Sequence, residues 1–246
     1  MTAPVFVVEH LDAGGGGGYV LDGPEGRHAV SVKRLRAGED VVLTDGAGRW
    51  ADCVVLDTEG KDRLILRLDS MHEEPAEQPR VTVVQALPKG DRGELAVETM
   101  TEVGVDAIVP WAAARCITQW KGDRGAKALG KWRATAREAG KQSRRVRFPE
   151  VAEAATTKQV ASLLAGAEFA AVLHESGDTP LATAALPATG EIVLVVGPEG
   201  GVAPEELALF EEAGAQAYRL GRSVLRTSTA GTAAAAVLLA RTGRWS

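Results

Sequence analysis

Ile192-Val193-Leu194-Val195-Val196-Gly197-Pro198-Glu199-Gly200-Gly201 shows what kind of sheet this chain builds. Five consecutive branched apolar residues read as a strand buried on both faces, a pattern of parallel rather than half-exposed antiparallel sheet. The glycines that follow permit positive φ and a close backbone approach to a ligand. Pro204, Glu205 and Glu206 then start a helix, because proline suits a first turn and carboxylates suit its positive end. Further on, Leu220-Gly221-Arg222-Ser223-Val224-Leu225-Arg226-Thr227-Ser228-Thr229-Ala230 opens an alanine-rich helix. Two such loops at neighbouring strand ends can wall a small-molecule pocket, with an arginine and several hydroxyls at its lip for a second, polar substrate.

The same pattern extends back to residue 81. Residues 81–87 form a buried strand, and 94–103 an amphipathic helix with Leu95, Val97, Met100 and Val103 inward, capped by Gly104. Further strands are expected at 107–111, 169–173, 191–196 and 217–220, with helices over 126–142, 204–213 and 230–241. This alternation implies an α/β fold with a mostly parallel sheet covered on both faces. Ligands of such sheets bind outside the carboxyl ends of the strands. That gathers residues 173–177, 197–201 and 220–230 on one rim.

The N-terminal part reads differently. Residues 5–8, 18–21, 40–44, 50–56 and 64–68 are β-branched or alternating, and turn dipeptides such as Asp45-Gly46 and Glu59-Gly60 separate several of them. The glycine run 14–18 reads as a mobile loop, and 25–35 as a short helical segment presenting His28, Lys33 and Arg34. Residues 71–80 are rich in Glu and Pro and read as a boundary. The expected division is a small β-barrel over 1–72, a linker over 73–80 and the α/β domain over 81–246.

Composition narrows the function. No apolar run approaches the ~20 residues of a membrane span, and no signal peptide is expected at the N-terminus. Cys53 and Cys116 stand alone, which argues against disulfides and zinc and fits a reducing cytoplasm. The net charge of −5 conceals a pattern. Residues 1–79 hold 8 basic and 15 acidic side chains, 80–147 hold 14 and 7, and 148–246 hold 6 and 11. A basic middle between acidic flanks points to a localised polyanion site, the plain alternative being a solvated helix face. Gly-x-Gly-x-x-Gly and Gly-Lys-Ser/Thr are absent from the glycine loops, and no Ser–His–Asp or Cys–His nucleophile set is visible.

Val196-Gly197-Pro198-Glu199-Gly200-Gly201, with Leu220-Gly221 and Val224-Leu225-Arg226-Thr227, resembles the paired signature of the SPOUT RNA methyltransferases. Among these the chain is most similar to the bacterial 16S ribosomal RNA uridine N3-methyltransferases. His28, Arg34, Gly38 and Asp45-Gly46 resemble that family's PUA-like RNA-binding barrel. Gln85-Ala86-Leu87-Pro88-Lys89, Glu102-Val103-Gly104 and Pro110 resemble its first strand and helix, and Ala139, Gln142-Ser143, Arg145 and Pro149 its second helix and exit loop. Lys141, where a glutamate is common, and Ser228, inside a usual Thr-Glu-Thr, depart from the pattern.

The resemblance implies a C-terminal trefoil knot holding S-adenosyl-L-methionine, a 16S ribosomal RNA substrate in the small subunit, a homodimer whose second subunit helps complete the site, and no metal or membrane. The cofactor residues it implies are Leu173, His174, Glu175, Val196, Gly197, Glu199, Gly200, Gly201, Leu220, Gly221, Val224, Leu225, Thr227, Thr229 and Ala230. For the chemistry, uridine N3 becomes a nucleophile only as its imide proton leaves and charge spreads to the flanking carbonyls. Arg226 is the candidate donor to those oxygens, and Glu199 or Glu175, if buried, the proton acceptor. RNA contacts are expected from His28, Lys33, Arg34, Lys89, Arg92, Arg115, Lys141, Arg144 and Arg145, with Lys131, Arg133, Arg137 and Arg147 nearby and Trp132 available for stacking. Two alternatives stay open: ribose 2′-O-methylation on a similar fold, and a non-catalytic RNA-binding module.

Overall fold

The computed structural model describes residues 3–11 and 17–245. The chain forms two compact units, one of Met1–Ala76 with Gly140–Phe148, the other of Glu77–Ala139 with Pro149–Ser246.

The first unit contains β1 (Val5–Val7), β2 (Gly18–Leu21), α1 (Gly23–Arg27), β3 (Asp40–Thr44), β4 (Arg49–Glu59) and β5 (Arg63–Glu73). They make a curled mixed sheet in the order β1-β3-β4-β5-β2, with β1 parallel to β3 and the other pairs antiparallel. Register shifts at Asp52/Cys53 and Val55/Asp57 bend β4 over a core that includes Phe6, Leu43, Leu64 and Leu66. Burial, with Asp52 and Asp69 adding to it, pushes the Cys53 thiol up to about 11, so this cysteine is inert at neutral pH. The helical segment begins at Gly23, earlier than expected, and continues as a π-helical stretch, His28–Lys33, that ends on a left-handed Arg34 at φ 57°. Of the expected loop 14–18, residues 14–16 lie outside the described residues and Gly18 opens β2.

Strand β5 runs into the stretch whose composition suggested a boundary. Cross-strand pairing overrides composition there: the His72 ring stacks on Trp50 at 3.9 Å, and Ser70 Oγ donates to Asp52 at 2.9 Å. Residues 140–148 also join this unit. Phe148 N–H donates to the Gly46 carbonyl at 2.8 Å, and Val146 accepts from Gly48 N–H at 3.0 Å. Gly46, at φ 72°, would place a Cβ only 2.9 Å from the Phe148 ring.

The second unit contains β6 (Arg80–Ala86), α2 (Arg92–Val103), β7 (Ala107–Trp111), α3 (Gly122–Gln142, its last residues in the first unit), β8 (Glu150–Val151), α4 (Thr157–Ala165), β9 (Phe169–Leu173), β10 (Thr179–Pro180), β11 (Glu191–Val196), α5 (Pro204–Glu212), β12 (Gln216–Arg219) and α6 (Thr227–Arg241). Its sheet is parallel throughout, in the order β10-β12-β9-β11-β6-β7-β8. Strands β6 and β11 lie inside it, and Ile192 to Val196 are at most 2% exposed, the environment that five branched apolar residues in a row demand. Helix α4 was not anticipated, although Thr156 and Gln159 form its capping box.

Helix α6 leaves the loop after β12 and packs on α2, β6 and β11. Its contact face is small: Ala230, Gly231, Ala234 and Ala235 are buried, and a Cβ on Gly231 would approach Met100 Sδ to 2.8 Å. Close approach at Met100 sets the roll of α2. Ala96, Val97, Met100 and Thr101 turn inward and Leu95 is 45% exposed, which corrects the expected inward stripe. No helix among the described residues is long and apolar enough to cross a membrane.

Candidate active site

Strand register brings the loop ends to one level. Val196 of β11 pairs with Gln85 of β6 and Leu173 of β9, and Leu173 pairs with Tyr218 of β12. The loops after β9, β11 and β12 therefore leave the same sheet edge side by side. Between them lies a cleft of about 590 Å³ lined by residues 173–175, 196–202 and 218–227, together with Arg92, Arg115 and Ala230.

All the expected cofactor residues line this cleft except Thr229. Helix α6 starts at Thr227, so Thr227 and Ala230 share the face toward the cleft, while Thr229 is turned about 200° from Thr227. Its hydroxyl donates to the Arg226 carbonyl at 3.2 Å. Pro198, Val202, Tyr218, Arg219, Arg222 and Ser223 line the cleft without having been singled out. The two arginines flank the Leu220-Gly221 turn, a signal that was visible in the sequence.

The glycine elbow is held from both sides. A Cβ on Gly197 would lie 2.9 Å from Val202 Cγ2, and Gly201 sits at φ 73°. Arg115 Nη1 donates to the Gly200 carbonyl at 3.1 Å, and Lys89 N–H donates to Glu199 Oε1 at 3.2 Å. The loop carrying Arg115 is itself positioned by the buried Glu206 carboxylate. That group accepts from Ala114 N–H at 2.8 Å, from Thr157 Oγ1 at 2.9 Å and from Ala203 N–H at 3.2 Å, joining three elements beneath the rim.

At the β9 exit, Ser176 N–H donates to His174 Nδ1 at 3.2 Å, and the Ser176 hydroxyl lies 2.6 Å from the same nitrogen. A backbone N–H can only donate, so Nδ1 carries a lone pair and the neutral ring bears its proton on Nε2. Arg226 precedes α6. Its carbonyl accepts from Thr229 and Ala230 N–H at 2.9 Å, while its side chain is exposed and forms no ion pair with Glu199. Glu199 and Glu175 are exposed, so the burial that would have tuned either as a proton acceptor is absent.

The expected RNA contacts separate into several groups. Arg92 and Arg115 line the cleft, and Lys89 is exposed beside Glu199. In the first unit, Lys33, Arg34 and Arg144 are exposed, Arg144 with a left-handed φ of 61°. Arg145 is half-buried, and so is His28, edge-on to Phe6 at 6.0 Å. Lys141 departs from expectation: it is buried, with Nζ on Glu25 Oε1 at 2.9 Å, because α3 ends against α1 within the first unit. Arg133 binds the Val151 carbonyl and Glu153, and Arg147 binds the Glu74 carbonyl. Trp132, expected to stack on bases, is 3% exposed and packs edge-on to Trp120 at 5.0 Å. It lies on the apolar stripe of Leu129, Trp132, Ala136 and Ala139, whose helical spacing was the missed signal. Among the described residues no cluster of three or more His, Cys, Asp or Glu side chains is placed to hold a metal ion.

Comparison with known proteins agrees with this geometry. Residues 75–239 match the family model of an RNA methyltransferase domain, and 21–69 that of an RNA methyltransferase PUA domain. The chain is 46% identical to the ribosomal RNA small subunit methyltransferase E of Mycobacterium bovis, over 100% of this chain and 94% of the relative. It is 29% identical to the Bacillus subtilis protein of that name, over 86% of each. Among solved structures, ribosomal RNA small subunit methyltransferase E of Neisseria gonorrhoeae bound to S-adenosyl methionine superposes with a TM-score of 0.85, at 29% identity and 98% coverage of both chains. A putative methyltransferase of Legionella pneumophila in complex with the same cofactor also reaches 0.85, at 27% identity and 98% coverage of both. A model spanning more than half the sequence and a relative this close over its full length place the chain in the RNA methyltransferase family, with the small-subunit ribosomal RNA methyltransferases E.

Proposed function

We propose that the chain transfers a methyl group from S-adenosylmethionine to N3 of one uridine in 16S ribosomal RNA, the uracil-1498 type of reaction, acting in the cytoplasm on the small subunit as a homodimer. The observation that carries this reading is the cleft at the carboxyl edge of β9, β11 and β12, which gathers two glycine loops, an apolar floor and an unpaired arginine.

The residues present fit the methyl donor. Leu173, Val196 and Leu220 offer apolar walls, His174 a ring N–H, and the Gly197 elbow bare main chain where a side chain would collide with Val202. When bound, S-adenosylmethionine supplies an electrophilic methyl on its sulfonium. The remaining work falls to the protein. The loop walls hold the uracil ring so that N3 approaches in line. Arg226 donates to the carbonyl oxygens on which charge develops as the N3 proton leaves. Because Glu199 and Glu175 are exposed rather than buried, that proton passes to water at the open rim.

The proposed division is a PUA-like barrel over 1–72, a linker over 73–80 and the catalytic domain over 81–246, with 140–148 serving the first. A trefoil knot in the catalytic domain is supported by the path of α6, which leaves the outer side of the sheet and returns to pack on α2, β6 and β11. Val224 and Leu225, 78% and 40% exposed at the rim, suit cover by a second protomer.

Methylation of small subunits from cells lacking this protein, followed by mass mapping, tests the reaction. A methyl on uracil N3 is expected, and one on ribose would favour 2′-O-transfer instead. Calorimetry that detects no S-adenosylmethionine binding at millimolar concentration would leave only a non-catalytic module. For the RNA face, Arg144→Glu with Arg145→Glu is expected to weaken RNA binding and flatten its salt dependence. An unchanged slope would remove this segment from the interface.

A further inference from the structure

Five arginines line the cleft, Arg92, Arg115, Arg219, Arg222 and Arg226, against two glutamates, Glu175 and Glu199. Arg115 is engaged by the Gly200 carbonyl. The side chains of the other four form no hydrogen bond or ion pair among the described residues. Three of them, Arg219, Arg222 and Arg226, converge here although residues 148–246 are acidic overall, with 6 basic and 11 acidic side chains.

The methyl donor does not account for them. S-adenosylmethionine bears an ammonium, a carboxylate and a sulfonium, hence a net positive charge, and an excess of arginine disfavours it. In water, each like charge about 10 Å away weakens binding about twofold before screening. The product, S-adenosylhomocysteine, has the same groups without the sulfonium charge and is indifferent to that field. The arginines therefore serve an anionic second ligand, and phosphates beside an extruded nucleotide have the required charge.

We infer that Arg92, Arg219 and Arg222 bind the phosphates flanking the target uridine, and that the cleft consequently repels the methyl donor until RNA neutralises it. RNA and donor then bind with positive coupling, which by linkage is reciprocal. This rests on the cleft being the methyl-donor site.

The test is calorimetry on the R92Q/R219Q/R222Q variant and the unaltered protein, using S-adenosylmethionine, S-adenosylhomocysteine and a single-stranded uridine-containing RNA oligonucleotide at low salt. The three side chains are exposed or half-exposed and unpaired, so the thermal midpoint is expected to hold. R219Q/R222Q replaces the triple variant if it does not. Without RNA, the variant is expected to bind the donor about three- to tenfold more tightly, with the product unchanged within about twofold. Its affinity for the oligonucleotide falls by about tenfold or more, with a shallower salt slope. The oligonucleotide tightens donor binding several-fold in the unaltered protein and little in the variant. An unchanged donor-to-product ratio, or unchanged oligonucleotide affinity, overturns the inference. Weaker donor binding in the variant overturns it too, by making the arginines cofactor ligands. If the unaltered protein binds neither nucleoside, the reading of the cleft fails first and this inference with it.

Discussion

An Arg226→Ala variant is expected to lose roughly two to three orders of magnitude in turnover while binding S-adenosylmethionine within a few-fold of the unaltered protein. The substitution is clean for a structural reason. The role of Arg226 at the start of α6 is carried by its carbonyl, which accepts from Thr229 and Ala230 N–H, whereas its guanidinium is exposed and pairs with nothing among the described residues. Alanine keeps the carbonyl and removes only the guanidinium proposed to stabilise the developing charge. Single-turnover kinetics with calorimetry on the same preparation separate the roles. Loss of cofactor affinity in proportion to turnover would make Arg226 a structural part of the pocket.

Arg244→Ala is expected to destabilise the second unit by about 3–5 kcal/mol, a fall in unfolding midpoint of about 10 °C. The Arg244 side chain is 4% exposed. It pairs with Asp106, itself 13% exposed, and donates to the carbonyls of Pro79 and Gly104 at 3.2 Å. Asp106 also accepts from Val81 N–H at 2.8 Å, so this cluster ties the end of α6 to the start of β6 and to the turn after α2. Removing the guanidinium leaves a mostly buried carboxylate without its cation, which is where the large cost arises. The neighbouring Glu77 is 53% exposed and contributes little. Urea unfolding checks the value, with Arg244→Lys expected to be intermediate because it keeps the charge without the fork. A midpoint like that of the unaltered protein would mean that water replaces the cluster. Because the first turn of α6 lines the cleft, the alanine variant is also expected to bind cofactor more weakly.

Much of this architecture was legible before folding was considered. Residues 192–196 read as a buried strand. The glycines at 197, 200 and 201 marked a turn that by itself suited either a close ligand approach or only a tight strand-to-helix connection. The sites that resisted reading share a cause, which is that their partners lie far away in sequence. Lys141 looked like one more cation in a basic run, and only Glu25, 116 residues away, makes it a buried ion pair. Residues 71–73 had linker composition, and pairing with β4 made them strand. The roll of α2, which exposes Leu95, was set by Gly231 of α6 meeting Met100. Trp132 is different, because its helical stripe was visible and its aromatic chemistry drew attention away from it.

By itself the sequence determined the local terms: which segments are strands or helices, which faces are apolar, and where glycine lets backbone bend. Those depend on neighbours a few residues apart and on side-chain chemistry. Tertiary structure decided which groups face one another. Parallel register levelled Leu173, Val196 and Tyr218, so that three separate loops became one cleft, and the start of α6 turned Thr227 toward it and Thr229 away. It also drew Arg219 and Arg222, from an acidic stretch, and Arg92, from a basic one, to one rim where none of them pairs with a described residue. Charge within an acidic stretch of chain takes on meaning only when packing fixes the distances over which it acts.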